Sequence, residues 1–341
     1  MRVFVTGHTG FKGAWLTMWL AHQGHEVGGL ALDPLPGSLF ERADVGGSLA
    51  FDQRADIRDR TAVLEAVNAF APDVLVHMAA QSLVRPSYSE PRLTVETNVL
   101  GTLSVLEALS RTDSVKAAVI VTTDKVYRNV GATSGYVEDD PLGGHDPYSA
   151  SKAMADILTS SWVASFPGQA IATARAGNVI GGGDISTDRL LPDVFRALRA
   201  KETVRLRNPS AVRPWQHVLD CLSGYLSLIE ALRDGLGDGS WNFGPDSSAV
   251  RTVRETADLA IDLWGRDATW EVNADEHQHE AEVLTLDASK ARSKLGWSDR
   301  LDYQSAVEWT VEWERRVLKG ESPASVTLEQ IVRFEELGRP A

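Results

Sequence analysis

Hydrophobic and polar positions alternate in blocks along the first half of the chain, and these blocks predict strands and helices in turn. Short apolar runs predict strands at Val3–Thr6, Glu26–Leu32, Val74–Met78, Ala117–Val121 and Ile171–Ala176. Between them, helical spacing of apolar residues predicts helices at Ala14–Gln23, Arg60–Phe70, Pro91–Ser110 and Tyr148–Ser165. Because the strands are apolar throughout and alternate with helices, we expect a doubly wound parallel sheet in an α/β fold.

The pattern changes after Asn178. Gly181–Gly183 predicts a turn, Val218–Leu232 predicts another packed helix, and the tail after Arg251 is mixed α/β. We therefore expect two domains. Residues 1–178 plus 215–247 would form the doubly wound domain, and residues 179–214 plus 248–341 a smaller C-terminal mixed α/β domain that binds substrate.

The composition is that of a globular chain long enough for a substantial core. It has 341 residues, 43% of them hydrophobic, and one cysteine, Cys221, so no intrachain disulfide can form. No uncharged apolar run reaches the ~20 residues that span a bilayer, and Met1 runs directly into a strand without a signal peptide. We therefore expect a cytoplasmic protein that does not associate with membranes.

The charge balance is acidic, 34 − 47 = −13, which argues against nucleic acid as a partner. One segment differs, because seven cations and only two acids lie between Arg189 and Arg213. A basic segment in an acidic chain suggests an anionic ligand, and a solvated helix face is the alternative.

A glycine-rich loop follows the first strand and opens the first helix. Gly7, Gly10 and Gly13 would let the backbone approach a pyrophosphate at the helix N-terminus, which indicates a Rossmann-type dinucleotide site that also includes Phe11 and Lys12. Asp33, at the end of the second strand, favours NAD over NADP, unless it only begins a turn. Further cofactor contacts are expected from Asp56, Ile57, Ala79, Ala80 and Gln81.

The strongest chemical signal lies in residues 119–152. Tyr148 and Lys152 are four apart, so on a helix they share one face, and an ammonium beside a phenol lowers the pKa of that phenol. Such a tyrosine is a general base for a sugar hydroxyl. Thr123, Asp124 and Lys125 follow a predicted strand and would reach the same ligand edge of the sheet. An ordinary helix face and an exposed Asp124–Lys125 ion pair are the alternatives.

These motifs resemble the extended short-chain dehydrogenase/reductase family. Within it the chain is similar to the nucleotide-sugar 4,6-dehydratases, most of all the CDP-glucose group. The resemblance rests on GHTGFKG at 7–13, AAQSLVRPSY at 79–88, TTDK at 122–125, LGGHDPYSASKA at 142–153, RAGNVIGGGD at 175–184, DRLLPD at 188–193 and RPWQHV at 213–218. Related 4-epimerases generally lack the Asp-Lys pair.

The resemblance implies a hydro-lyase with bound NAD, acting on a nucleotide-diphosphate sugar, with CDP-glucose the favoured substrate. Tyr148 would deprotonate the C4 hydroxyl beside Thr123, Lys125 would remove the C5 proton, and Asp124 would protonate the departing C6 hydroxyl. It adds Asn98, Thr122, Tyr148 and Lys152 as cofactor contacts. It implies substrate contacts from Ser82, Arg85, Asn178, Arg189, Leu190, Arg207, Arg213 and His217, no metal, and a homodimer or homotetramer.

Some positions depart from the CDP-glucose group and leave other functions open. The loop Asn129–Gly135 lacks its usual tryptophans, Val126 stands where cysteine is common, and Val137 where arginine is common. Trp215 is a core residue or a stacking platform for a base. An epimerase or reductase of nucleotide sugars, and a non-catalytic NAD-sensing protein, remain the competing hypotheses.

Overall fold

The computed structural model describes residues 1–131, 134–265, 268–272 and 284–338. The strands are β1 (Arg2–Thr6), β2 (Glu26–Ala31), β3 (Phe51–Arg54), β4 (Val74–His77), β5 (Ala117–Val121), β6 (Ala170–Arg175), β7 (Val179–Ile180), β8 (Val204–Leu206), β9 (Val212–Pro214), β10 (Gln216–His217), β11 (Gly239–Asn242), β12 (Val250–Thr252) and β13 (Trp270–Val272). The helices are α1 (Phe11–His22), α2 (Leu39–Arg42), α3 (Arg60–Phe70), α4 (Val84–Ser89), α5 (Pro91–Val95), α6 (Gly101–Leu109), α7 (Pro147–Ser165), α8 (Leu190–Ala200), α9 (Val218–Arg233), α10 (Val253–Trp264), α11 (Ser289–Leu295), α12 (Tyr303–Leu318) and α13 (Pro323–Leu337).

Within these ranges, seven parallel strands form the central sheet in the order β11-β6-β5-β4-β1-β2-β3. The order reverses between β1 and β4, where Val5 pairs with Val76. Ligands of open parallel sheets bind beyond the carboxyl ends of the strands at such a reversal. The fold class expected from the sequence, a Rossmann-type doubly wound sheet, is therefore confirmed.

Both faces of the sheet are covered, as the apolar strands require. One face packs under α1, α9 and the C-terminal helices, with Trp15, Trp241 and Trp313 fully buried. The other face packs under α3 and α6 around Phe4 and Phe70. None of the helices in the described part of the chain is long and apolar enough to cross a bilayer.

The predicted elements of the first half lie where the hydrophobic pattern indicated, with ends displaced by three residues or fewer. The helix expected over Pro91–Ser110 is α5 and α6 joined by one π-helical turn, Glu96–Leu100. Strand β3 was not predicted, because its residues FDQR are mostly polar and only half buried at an edge of the sheet. The domain boundaries stay a prediction.

Candidate active site

A cleft of about 870 Å³ opens at the carboxyl ends of the central strands. Its walls come from the end of β5, the start of α7, the loops after β6, the start of α8 and the small strands β8 and β9. All five predicted catalytic residues line it, namely Thr123, Asp124, Lys125, Tyr148 and Lys152. Of the predicted cofactor contacts Lys12, Ala80 and Thr122 also line it, as do the predicted substrate contacts Ser82, Arg85, Asn178, Arg189, Leu190, Arg207 and Arg213.

The glycine loop lies at the reversal point and is closely packed. Gly7 has φ +76°, and a Cβ there would lie 2.7 Å from the backbone nitrogen of Ala79 on the neighbouring strand end. A Cβ at Gly13 would lie 2.7 Å from the Cα of His8. Gly10 is the N-cap of α1 and offers no side-chain cap, so the first N–H groups of the helix are available to an anion. These features fit the pyrophosphate of NAD.

The remaining cofactor candidates have different surroundings. Asp33 is exposed, two residues beyond the end of β2. Asn98 holds the segment after β4 by accepting from the Gln81 amide at 2.9 Å and donating to its carbonyl at 3.0 Å. Arg58 binds the Asp56 carboxylate through its side chain and amide and lowers the pKa of that carboxyl. Ile57 is buried in the core beside Gly101 and does not line the cleft.

The acid/base groups form two adjoining sets. Thr123 Oγ1 donates to Asp124 Oδ1 at 2.9 Å, and Lys125 Nζ lies 3.7 Å from the same oxygen. Asp124 is fully buried, whereas 29% of the Lys125 side chain is exposed. Lys152 Nζ donates to the carbonyl of Val121 at 3.0 Å, at the end of β5.

Burial dominates the protonation of Tyr148 and Lys152. It raises the pKa of Tyr148 to about 12, although a hydrogen bond with Thr123 and the charge of Arg189 act in the opposite direction. The expectation that Lys152 lowers the pKa of Tyr148 is therefore wrong for the protein alone. Burial, with the ammonium of Lys12 adding to it, lowers the pKa of Lys152 itself to about 7. With a pKa near 7, Lys152 is only partly charged at neutral pH, so a further positive charge would help to stabilise the phenolate of Tyr148.

The basic segment supplies one wall of the cleft. Arg213 is 9% exposed and donates to the carbonyl of Val212 at 2.8 Å. Asn178, with φ +48°, directs its amide toward Asp124 Oδ2 at 3.4 Å. Trp215 is 6% exposed, belongs to the core and also lines the cleft.

His217 is placed differently from the prediction and is withdrawn as a substrate contact. It is 1% exposed, it is not among the cleft-lining residues, and its ring packs edge-on near Trp15 and Trp309. Its Nδ1 accepts from the Leu219 amide as the N-cap of α9, and burial lowers its pKa to about 3. The ring is therefore neutral and structural.

Sequence reasoning missed several residues of the cleft. Asp188 accepts from both Arg85 and Arg207, at 2.9 and 2.7 Å. Gly177 lies against the Asp124 carboxylate so closely that a Cβ there would overlap it. Both lie in motifs quoted above, Gly177 in RAGNVIGGGD and Asp188 in DRLLPD, but the sequence does not reveal their contacts with Asp124, Arg85 and Arg207. Residues 132–133 of the divergent loop lie outside the described residues. No group of His, Cys, Asp or Glu in the described ranges could hold a metal ion.

Comparison with known proteins shows which family the chain belongs to. The model of the family described as GDP-mannose 4,6 dehydratase matches residues 4–310. The chain belongs to that family. It is 43% identical over 331 residues to a CDP-glucose 4,6-dehydratase of Salmonella typhimurium, covering 94% of this chain and 92% of the relative. The resemblance to nucleotide-sugar 4,6-dehydratases is thus confirmed.

Solved structures agree in fold. A dTDP-glucose 4,6-dehydratase from Streptomyces venezuelae with NAD bound is 27% identical, with a TM-score of 0.82 and coverage of 95% of this chain and 100% of that one. A Thermus thermophilus UDP-glucose 4-epimerase in complex with NAD is also 27% identical, with a TM-score of 0.81 over 92% of this chain and 99% of its own. Because dehydratases and epimerases share the scaffold, the reaction has to be argued from the side chains.

Proposed function

We propose that the chain is an NAD-dependent nucleotide-sugar 4,6-dehydratase that converts CDP-glucose to CDP-4-keto-6-deoxyglucose and water. One observation carries the proposal: the Tyr148–Lys152 pair and the Asp124–Lys125 pair line the same cleft, joined through Thr123. Oxidation and reduction at C4 need only the Tyr148–Lys152 pair. A second acid/base pair is needed when the C5–H and C6–O bonds are also broken.

The residues have distinct roles in this proposal. NAD, when bound, would supply a hydride acceptor and donor and a positive charge that favours the phenolate of Tyr148. Tyr148 takes the proton of the C4 hydroxyl, which Thr123 orients. The charge of Arg189 assists, since it favours the phenolate. The C4 ketone then acidifies the C5 proton.

The Asp124–Lys125 pair carries out the elimination of water. Lys125 lies at the open side of the cleft and removes the C5 proton, for which it must be neutral. Asp124, buried and held by Thr123, gives a proton to the departing C6 hydroxyl. Asn178 holds the other carboxylate oxygen of Asp124 and so fixes its direction. As hydride returns to C6, Lys125 returns a proton to C5, so the net change is the loss of one water.

The substrate and assembly are part of the same proposal. The 43% identity to a CDP-glucose 4,6-dehydratase supports cytidine, and Arg207 and Arg213 supply guanidinium groups that suit a diphosphate. A homodimer or homotetramer would form through α5–α6 and α7. Apolar side chains are exposed there, at Leu93, Leu100, Met154 and Ile157.

The test is incubation with CDP-, dTDP-, UDP- and GDP-glucose, with the products read by mass spectrometry for loss of water and by NMR for the configuration at C4. We expect loss of one water from CDP-glucose, without accumulation of free NADH. Change of configuration at C4 with no loss of mass would favour the epimerase. Absence of any product with all four sugars would contradict the proposal.

A further inference from the structure

One carboxylate oxygen on the cleft wall is shared by two guanidinium groups. Asp188 Oδ1 accepts from Arg85 Nη1 at 2.9 Å and from Arg207 Nη1 at 2.7 Å. Arg207 Nη2 also donates to the Asp188 carbonyl, at 2.7 Å. All three residues line the cleft.

The contact joins separate parts of the fold. Arg85 belongs to the short helix α4, Asp188 stands just before α8, and Arg207 follows β8. Each side chain is part-exposed, 35%, 33% and 22% respectively, so water and ligand reach the pairs. Part-exposed ion pairs contribute little to folding, about 0–1 kcal/mol each, so stability alone is a weak reason for this arrangement.

The backbone of Asp188 adds a cost. Its φ is +62°, in the left-handed region that costs residues other than glycine about 1–2 kcal/mol and that Asn and Asp tolerate best. In this conformation the carboxylate and the carbonyl of Asp188 both accept from the guanidinium of Arg207.

We propose that Asp188 sets the affinity of the cleft for the diphosphate of its ligand, because its carboxylate competes with that diphosphate for Arg85 and Arg207. This inference rests on the proposed function, in which the ligand is a nucleotide-diphosphate sugar. The two arginines are attractive to a diphosphate because guanidinium groups match phosphate oxygens. Asp188 uses donors of both, and its negative charge repels the incoming anion.

The consequence concerns binding more than chemistry. The diphosphate is the same in substrate, transition state and product, so competition from Asp188 weakens all three to a similar degree. Removing this competition should lower KM and slow product release without increasing kcat. The neighbouring charges are already engaged: Asp193 pairs with Arg196, and Arg189 lies 3.9 Å from Asp184.

Asp188→Asn is the informative variant, since asparagine tolerates positive φ and keeps an oxygen acceptor while losing the charge. Asp188→Gly removes the carboxylate and also accepts the backbone conformation. Asp234→Asn is the matched control, because Asp234 is exposed just beyond the far end of α9 and the change in net charge is the same. The probe is inorganic pyrophosphate, which carries the anion without base or sugar.

Pyrophosphate binding is measured by calorimetry at low salt on enzyme saturated with NAD, so that the dinucleotide site is filled. Removing one unit charge about 5 Å from the anion in a part-exposed site should tighten binding about tenfold in both Asp188 variants, with no change in Asp234→Asn. Adding Arg207→Gln to Asp188→Asn should abolish the gain.

Pyrophosphate binding in both Asp188 variants that is equal to or weaker than that of the native chain would overturn the inference, and would mean that Asp188 only positions the arginines. This comparison needs no turnover. Failure of every nucleotide sugar to react would count against the proposed function, while the pyrophosphate comparison would still decide the role of Asp188.

Discussion

The charge of Lys152 is the property of the site that should respond most strongly to pH. Burial, with Lys12 nearby, lowers the pKa of Lys152 from 10.5 to about 7. A lysine with a lower pKa in the folded chain binds fewer protons there than in the unfolded chain. The free energy of unfolding therefore rises with pH between about 7 and 10.5, and this contribution is lost as pH falls through that window.

The size of the effect follows from the pKa difference. At ~1.4 kcal/mol per pKa unit, the complete rise has an upper limit of ~5 kcal/mol, of which about 2 kcal/mol falls between pH 7 and 8.5. Lys152→Met removes the group and with it this slope. The variant should be more stable than the native chain below pH 7, where the native chain holds a buried ammonium whose hydrogen bond to the Val121 carbonyl only partly offsets its desolvation.

The assay is urea unfolding at a series of pH values, on protein freed of nucleotide. The matched control is Lys319→Met, an exposed lysine at the end of α12, which should follow the native pH dependence. Parallel curves for the native chain and Lys152→Met would refute the reasoning, because Lys152 would then keep its ordinary pKa in the folded protein.

Three further substitutions test the position of Asp124, the buried carboxyl of Asp220 and the base for C5 separately. Gly177→Ala places a Cβ against the Asp124 carboxylate, so turnover should fall at least tenfold and the free energy of unfolding should drop by about 1–3 kcal/mol. The control Gly46→Ala, whose Cβ would make only ordinary contacts, should change neither quantity. A fully active Gly177→Ala enzyme would contradict the placement of Asp124. Burial raises the pKa of Asp220 from 3.8 to about 7, so its contribution to stability is present near pH 4 and is lost as pH rises to about 7. In urea unfolding, Asp220→Asn should therefore be as stable as the native chain near pH 4 and more stable near pH 8, by up to ~4 kcal/mol. An equal difference at the two pH values would contradict the pKa shift. Lys125→Met should still oxidise C4, seen as bound NADH absorbance, but should not exchange the C5 hydrogen with deuterated solvent; normal exchange would assign that proton to another base.

Local patterns predicted five of the seven sheet strands and brought the proposed acid/base residues to one cleft, because short-range spacing governs both features. Apolar runs separated by helical spacing identified β1, β2, β4, β5 and β6. The spacing of Tyr148 and Lys152 by four residues placed both on the cleft face of α7.

Features that depend on tertiary contacts could not be predicted in this way. His217 lies two residues after Trp215, and alternation along a strand would bring both to the cleft, but the chain turns into α9 at His217 and uses the ring as a cap. The pKa of Tyr148 depends on how deeply the surrounding chain buries it, which no spacing reveals. The link from Arg85 through Asp188 to Arg207 joins three segments that are remote in sequence.

The most direct test of the central claim follows a hydrogen from C4. CDP-glucose carrying deuterium at C4 is converted in ordinary water, and the product is examined by NMR and mass spectrometry. The account predicts that the label reappears at C6 while C5 acquires a solvent hydrogen, because the hydride is held by the cofactor, where it does not exchange with water, until it returns. Deuterium that stays at C4, or that is lost to solvent, would contradict a 4,6-dehydratase at this cleft.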